Sequence, residues 1–316
     1  MKAPPHLSVM PNETLAQLNP QPGGRYVDCT VGAGGHAAAI LAAEPTCQLL
    51  GLDRDTNALA VASERLAPFG DRVRLVHTNY HNMITVLDEI EWDGVDGILL
   101  DVGLSSMQID EASRGFSFQV DGPLDMRMDR RERITASTLL NNSELGELVR
   151  IFRQYGEEPR ARQIATAIVR RRETQPWEST EELANLIRKV LHHYGDRRCP
   201  AVPRIFQALR IAVNGELESL QNTLDDAIHA LKPAARLVVL TFHSLEDRIV
   251  KETFREAARD CVCPPVMPIC TCDKVPTLKV LTRKPLRAHS QELRENSRAK
   301  CAKLRSAERL PWQDEE

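Results

Sequence analysis

The chain has 316 residues, long enough for two domains, with 42% hydrophobic and 27% charged residues, the make-up of a globular protein with a sizeable core. Aromatics at 4% argue against a surface of many base-stacking rings, and a net charge of -3 leaves any polyanion site to local clustering. No apolar run approaches the ~20 residues of a membrane span, and Met1–Pro11 lacks a basic-then-apolar signal pattern, so a cytoplasmic protein without disulfides is expected.

In chain order, Arg25–Gly32, Gln48–Asp53, Val73–Asn79 and Gly97–Val102 read as buried strands, each short, apolar and followed by a turn or helix opening. Gly35–Ala43, Thr56–Leu66 and His81–Ile90 read as the helices between them, which predicts a parallel, doubly wound α/β sheet. The pattern then turns helical through Ser143–Tyr155, Arg160–Glu173, Thr180–His193 and Ile205–Leu231, with Thr180 as an N-cap before first-turn acids. The sheet resumes at Arg236–Phe242, followed by a helix from Leu245 and strands at Leu278–Thr282 and Ala302–Leu310. A helical domain is therefore inserted into the sheet domain, with expected boundaries 1–109, 110–204 and 205–316.

Tyr26-Val-Asp-Cys-Thr-Val-Gly-Ala-Gly-Gly-His36 puts a glycine-rich turn between the first strand and the first helix, where free N–H groups collect. The run lacks the third glycine of a dinucleotide fingerprint, and the acid before it, Asp28, suits an adenosyl-methionine site better than a pyrophosphate site. Asp53 ends the second strand, 21 residues beyond Gly32, where a carboxylate can accept bonds from ribose hydroxyls. Tyr80, after the third strand, could cover an adenine. Asp101 ends the fourth strand at the carboxyl edge, where it could bind the amino end of a cofactor or accept a substrate proton. From these residues alone, NAD and S-adenosylmethionine both remain open.

Seven blocks resemble the RsmH (MraW) family, in order through nearly the whole chain. They are Asp28-Cys-Thr-Val-Gly-Ala-Gly-Gly-His36, Leu99-Leu-Asp-Val-Gly-Leu-Ser-Ser-Met-Gln-Ile-Asp110, Arg114-Gly-Phe-Ser-Phe118 and Asp121-Gly-Pro-Leu-Asp-Met-Arg-Met-Asp129. Then follow Phe206-Gln-Ala-Leu-Arg-Ile-Ala-Val-Asn214, Phe242-His-Ser-Leu-Glu-Asp-Arg248 and Ala302-Lys-Leu-Arg-Ser-Ala-Glu-Arg-Leu310. The resemblance implies a class I (Rossmann-like) methyltransferase that uses S-adenosylmethionine to methylate N4 of a cytidine in the decoding centre of 16S ribosomal RNA. The partner it implies is that RNA or the small ribosomal subunit. It implies cofactor contacts at Gly34, Gly35, His36, Asp53, Tyr80, Asp101 and Gln108, and a substrate-recognising role for the insert. A Rossmann oxidoreductase using NAD and a non-catalytic ribosome-binding factor are the alternatives.

Some positions depart from the family pattern. Tyr80 stands where many relatives carry Phe, Met107 where Pro is usual, and Gly215 where an acid is usual. The insert's exit reads Cys199-Pro-Ala-Val-Pro-Arg-Ile205 in place of a His-Pro-Ala-Thr-Arg-Thr pattern, and this segment is expected to face substrate.

Asp101 is the first candidate to accept the N4 proton, with the Ser105 carbonyl second; His243 could line the cleft or serve structure alone. Two basic runs offer a phosphate grip: ten Lys/Arg against three acids in Lys279–Arg309, and seven Arg against two Glu in Arg150–Arg172. Four of the eight cysteines, Cys261, Cys263, Cys270 and Cys272, crowd into one stretch with Pro264, Pro265 and Pro268. They admit a structural zinc, four reduced thiols or a disulfide. The one-residue gap within each pair is shorter than the usual two to four, and no metal ligand is assigned on the sequence.

Overall fold

The structure is a computed structural model that describes residues 8–193, 199–264 and 269–311. The segment 1–7, part of the stretch read for a signal pattern, lies outside the described residues, as do Pro265 and Pro268. The described chain divides into two compact units, residues 1–103 with 217–316, and residues 104–216.

The first unit is built on a seven-stranded sheet of order β3-β2-β1-β4-β5-β7-β6. Its strands are Arg25–Asp28 (β1), Gln48–Asp53 (β2), Val73–His77 (β3), Val95–Asp101 (β4), Leu231–Thr241 (β5), Leu278–Val280 (β6) and Lys303–Arg309 (β7). β1 to β5 run parallel, and β7 pairs antiparallel with both β5 and β6. Consecutive side chains alternate between the two faces. Val27, Leu50, Leu52, Ile98, Leu100, Leu237 and Val239 join one apolar cluster. Tyr26, Leu49, Leu99, Val238 and Leu240 join the other. Strands covered on both faces need such continuous apolar runs.

The expected helices Gly35–Ala43 and Thr56–Leu66 are found with those bounds. β1 stops at Asp28, four residues before the expected end, because the chain leaves the ladder into the glycine turn. The expected helix Ile205–Leu231 is two, Ala201–Asn214 and Glu216–Ala230. Gly215 caps the first at φ 59, a left-handed conformation in which glycine carries no Cβ penalty, and its N–H returns to Ile211 O. Among the described residues four α-helices, Pro11–Leu18, Ser106–Asp110, Ala136–Asn142 and Ser290–Glu295, have no counterpart in the sequence reading.

The second unit packs the helices Ala136–Asn142, Leu145–Gln154, Ala161–Arg172, Thr180–Val190 and Ala201–Asn214 around one apolar cluster that includes Leu148, Phe152, Ile164, Trp177, Ile187, Ile205 and Leu209. Helix Ala201–Asn214 lays Val202, Ile205, Phe206 and Leu209 into this core, so the unit runs to Glu216 rather than the expected 204. In the exit segment Cys199, Ala201, Val202 and Ile205 are buried, while Pro200, Pro203 and Arg204 are exposed. The N-cap before the first-turn acids is Ser179, one residue ahead of Thr180, with its Oγ accepting from Glu182 N.

A candidate cofactor site at the carboxyl edge of the sheet

Register brings three carboxylates together. Asp28 lies opposite Gly51 of β2 and Leu99 of β4, so Asp53 and Asp101 each sit two residues beyond it on the flanking strands. A strand's period of two puts all three on the face that carries Tyr26, Leu49 and Leu99. The helix Gly35–Ala43 packs Ala37, Ile40 and Leu41 on that same face and brings His36 with it.

The glycine turn is held between the strands by hydrogen bonds to both sides. Cys29 N donates to Leu99 O and Val31 N to Leu52 O. Asp101 N donates to Thr30 Oγ1 at 2.7 Å, and Gly32 N to Asp53 Oδ2 at 2.8 Å. Gly34 turns left-handed at φ 77 as the N-cap of Gly35–Ala43. A Cβ on Gly35 would land on Ser8 Oγ, so the chain before the helix Pro11–Leu18 lies against the turn and leaves no room for a side chain.

Electrostatics in this cluster are strained. Burial pushes the Asp28 carboxyl up to about 7, with Asp101 and Asp53 adding to the rise against His36 and the Thr30 N–H. Burial also raises Asp53, opposed by the N–H groups of Asp55 and Gly32. For His36, burial works against the charged ring, but the Asp101 and Asp28 carboxylates outweigh it and hold the imidazole above its ordinary value. His36 Nε2 lies 3.6 Å from Asp101 Oδ2, just beyond hydrogen-bond length. Three buried polar atoms here have no hydrogen-bond partner: Asp28 Oδ2, Asp101 Oδ1 and His36 Nε2.

Such a donor set fits a ligand that carries a positive charge and hydroxyls. Facing carboxylates are relieved by a cation, and Asp53, already accepting two N–H bonds, keeps lone pairs for hydroxyl donors. Tyr80 opens a short 3-10 turn and is buried beside Leu52, Met83 and Val102, on the sheet's other apolar cluster.

Relatives match this chain along nearly all of its length. The MraW methylase family matches residues 3–310. Proteins named ribosomal RNA small subunit methyltransferase H are similar throughout. That of Symbiobacterium thermophilum is 49% identical, covering 96% of each chain. That of Carboxydothermus hydrogenoformans is 50% identical, over 97% of this chain and 98% of its own. That of Pelobacter propionicus is 51% identical, over 96% and 98%.

The chain belongs to the MraW methylase family. It is a methyltransferase on a doubly wound, Rossmann-like class I sheet, and the oxidoreductase reading falls. Of the residues the family resemblance marks, Gly34, Gly35, His36, Asp53 and Asp101 line one turn in this MraW methylase. Gln108 belongs to the other unit, in the short helix Ser106–Asp110. There it forms a capping box: Ser105 N donates to Gln108 Oε1, and Gln108 N to Ser105 Oγ. His243 is structural. It caps the helix Ser244–Ala257 with Glu246, whose Oε2 accepts from Phe242 N and His243 N, and its Nε2 lies 2.8 Å from Glu246 Oε1.

Thr30 was missed by sequence reasoning, and no motif signals it: only the register shows that its hydroxyl fixes Asp101. The two capping boxes were open to reading, since Ser105-x-x-Gln108 has the standard spacing and His243-x-x-Glu246 copies it.

Proposed function

We propose that this MraW methylase transfers a methyl group from S-adenosylmethionine to N4 of a cytidine in the decoding centre of 16S ribosomal RNA. The observation that carries the reading is the convergence of Asp28, His36, Asp53 and Asp101 on one face of the sheet's carboxyl edge, around a turn in which Gly35 has no room for a side chain. The family resemblance of the seven sequence blocks and the names of the relatives support the RNA substrate.

The cofactor is S-adenosylmethionine, which when bound supplies a methyl group on a positively charged sulfur. Asp53 would hold the ribose hydroxyls with its remaining lone pairs. Asp28 and Asp101 would balance its positive charge, with His36 Nε2 at 3.6 Å from Asp101 Oδ2 to steady that carboxylate. A cytosine amino group is a weak nucleophile, because its lone pair is drawn into the ring. Asp101 Oδ1, buried and unpartnered, accepts a proton from N4 as the nitrogen turns tetrahedral. The cytidine has to be single-stranded or turned out of its stack to reach such a site. The second unit serves the RNA side in this reading.

The test is methyl transfer to small-subunit RNA under single-turnover conditions, with S-adenosylmethionine affinity measured separately. Asp101→Ala is expected to slow transfer by about a hundredfold or more. An unchanged rate removes Asp101 from the chemistry. No transfer by the wild-type chain to any small-subunit RNA, with the cofactor bound, overturns the reading.

A further inference from the structure

The four clustered cysteines lie far along the chain from the glycine turn, and methyl transfer gives them no work. They sit on an excursion that leaves the helix Ser244–Ala257 and returns to β6. Its ends are tied together where Thr277 N donates to Ala257 O at 2.8 Å. Among the excursion's described residues, the apolar Val262 and Ile269 point to solvent at 46% and 74% exposure. Packing therefore does not explain why the four thiols meet.

They meet closely. All four Sγ atoms lie within 4.8 Å of one another. Cys261 and Cys270 are 3.5 Å apart, Cys270 and Cys272 3.5 Å, Cys261 and Cys272 3.8 Å, and Cys263 and Cys270 3.9 Å. A zinc ion with Zn–S bonds of about 2.3 Å sets its four sulfurs about 3.8 Å apart at the corners of a tetrahedron. A disulfide would need a sulfur pair at about 2.05 Å, and all four thiols are free.

The backbone is arranged for thiolates as well. Cys263 N donates to Cys261 Sγ at 3.3 Å, Thr271 N to Cys263 Sγ at 3.4 Å, and Val262 N to Cys272 Sγ at 3.4 Å. Such N–H donors offset the negative charge that four sulfurs bring to one metal. The short C-x-C gap, which in an extended strand would aim the two side chains apart, is overcome because Cys263 N folds back on Cys261 Sγ.

We propose that Cys261, Cys263, Cys270 and Cys272 bind one zinc ion as a closed tetrahedral site that fastens the excursion between the helix Ser244–Ala257 and β6. Four protein ligands leave no open coordination position, so the ion is structural and takes no part in methyl transfer. Four thiolates in tetrahedral array accept zinc or iron. Methyl transfer calls for no redox chemistry, which favours zinc.

The test counts metal on the untagged full-length chain by plasma mass spectrometry, after growth with zinc and iron both supplied. One zinc per chain is expected. Cys270→Ser and Cys272→Ser are each expected to lower it to below about a tenth. Cys301→Ser, which removes an exposed thiol outside the cluster, is expected to leave it unchanged. Exchange of the wild-type metal for cobalt provides a readout that needs no variant to fold, because tetrahedral cobalt bound to four thiolates gives intense sulfur-to-metal charge-transfer and d–d absorption. A wild-type chain without stoichiometric metal, with iron instead of zinc, or with these cysteines joined as disulfides in non-reducing peptide mapping overturns the proposal. So does full zinc in both cluster variants.

Discussion

Asp53 and Asp28 stand one strand apart and do different work. Asp53 is engaged by Gly32 N and Asp55 N yet can still accept from two hydroxyls. Asp53→Ala is expected to weaken S-adenosylmethionine by about tenfold or more, since hydrogen bonds to a charged group contribute about 1.5–3 kcal/mol. Titration calorimetry checks this, and unchanged affinity would show that Asp53 is not the ribose ligand.

Asp28 carries a pH signature. Its carboxyl is raised from 3.8 to about 7 in the fold, so between those values the folded chain holds a proton that the unfolded chain has lost. Stability then falls as pH rises through this window. His36, raised above 6.5, acts in the same direction: its contribution is present at low pH and lost as pH climbs through its folded value. Without cofactor, Tm is expected to decline from pH 5 to pH 8, and Asp28→Asn, which keeps an acceptor for Thr30 N, to flatten the lower part of that decline. Equal slopes in the two proteins, followed by differential scanning calorimetry, would contradict the buried, protonated Asp28.

At the scale of elements, the second unit shows what a sequence block can conceal. Asn214 closes the helix Ala201–Asn214, and its side chain reaches back to the segment after Gly115: Nδ2 donates to Met126 O, and Oδ1 accepts from Met128 N, both at 2.8 Å. Arg114 secures the same segment by donating to Arg127 O and Met128 O. Three of the family-like blocks thus meet at one hydrogen-bonded corner. Asn214→Ala leaves buried backbone groups without partners and is expected to cost about 1–3 kcal/mol of stability. Cleavage around Arg127–Arg133 in limited proteolysis should rise, while cofactor affinity, proposed to rest on Asp28, Asp53 and Asp101, should stay as it was. Unchanged stability and cleavage would show that the corner does not depend on Asn214.

The elements also show which local signals could be read. The strand ends at Asp53 and Asp101 were legible because a buried run stops at an acid before a turn. The shared face of Asp28, Asp53 and Asp101 was not, since it depends on which strands become neighbours and in what register. The split at Gly215 had a signal in the sequence, a left-handed cap glycine that the longer helical pattern outweighed, and the helix Pro11–Leu18 opens on a first-turn proline.

Over the whole molecule, the charge count needs the same correction. The basic runs suggested a broad phosphate grip, but part of that charge is spent inside the units. Lys303 and Arg305 both pair with Asp247, Arg309 donates to Thr277 O, Arg172 to Leu140 O and Ser143 O, and Arg171 lies 3.9 Å above the Trp177 ring while pairing with Glu182. Arg153, Arg160, Arg162 and Arg170 remain exposed on the second unit and are the stronger candidates for RNA phosphate. Replacing those four with Gln is expected to weaken RNA binding and to flatten its dependence on salt, by up to ~0.9 in log–log slope per lost contact. An unchanged salt slope in a titration series would place the RNA grip elsewhere. Among the described residues no helix is long and apolar enough to cross a membrane.

The reaction is read most directly from its product nucleoside. The purified chain would receive methyl-labelled S-adenosylmethionine with 16S RNA, and separately with small subunits, both from cells lacking the enzyme. The RNA would then be digested and its modified nucleosides identified by mass spectrometry. N4-methylcytidine is expected as the labelled nucleoside, mapped to one decoding-centre position. Label on any other nucleoside, or none on either substrate while the cofactor binds, would contradict the proposed reaction.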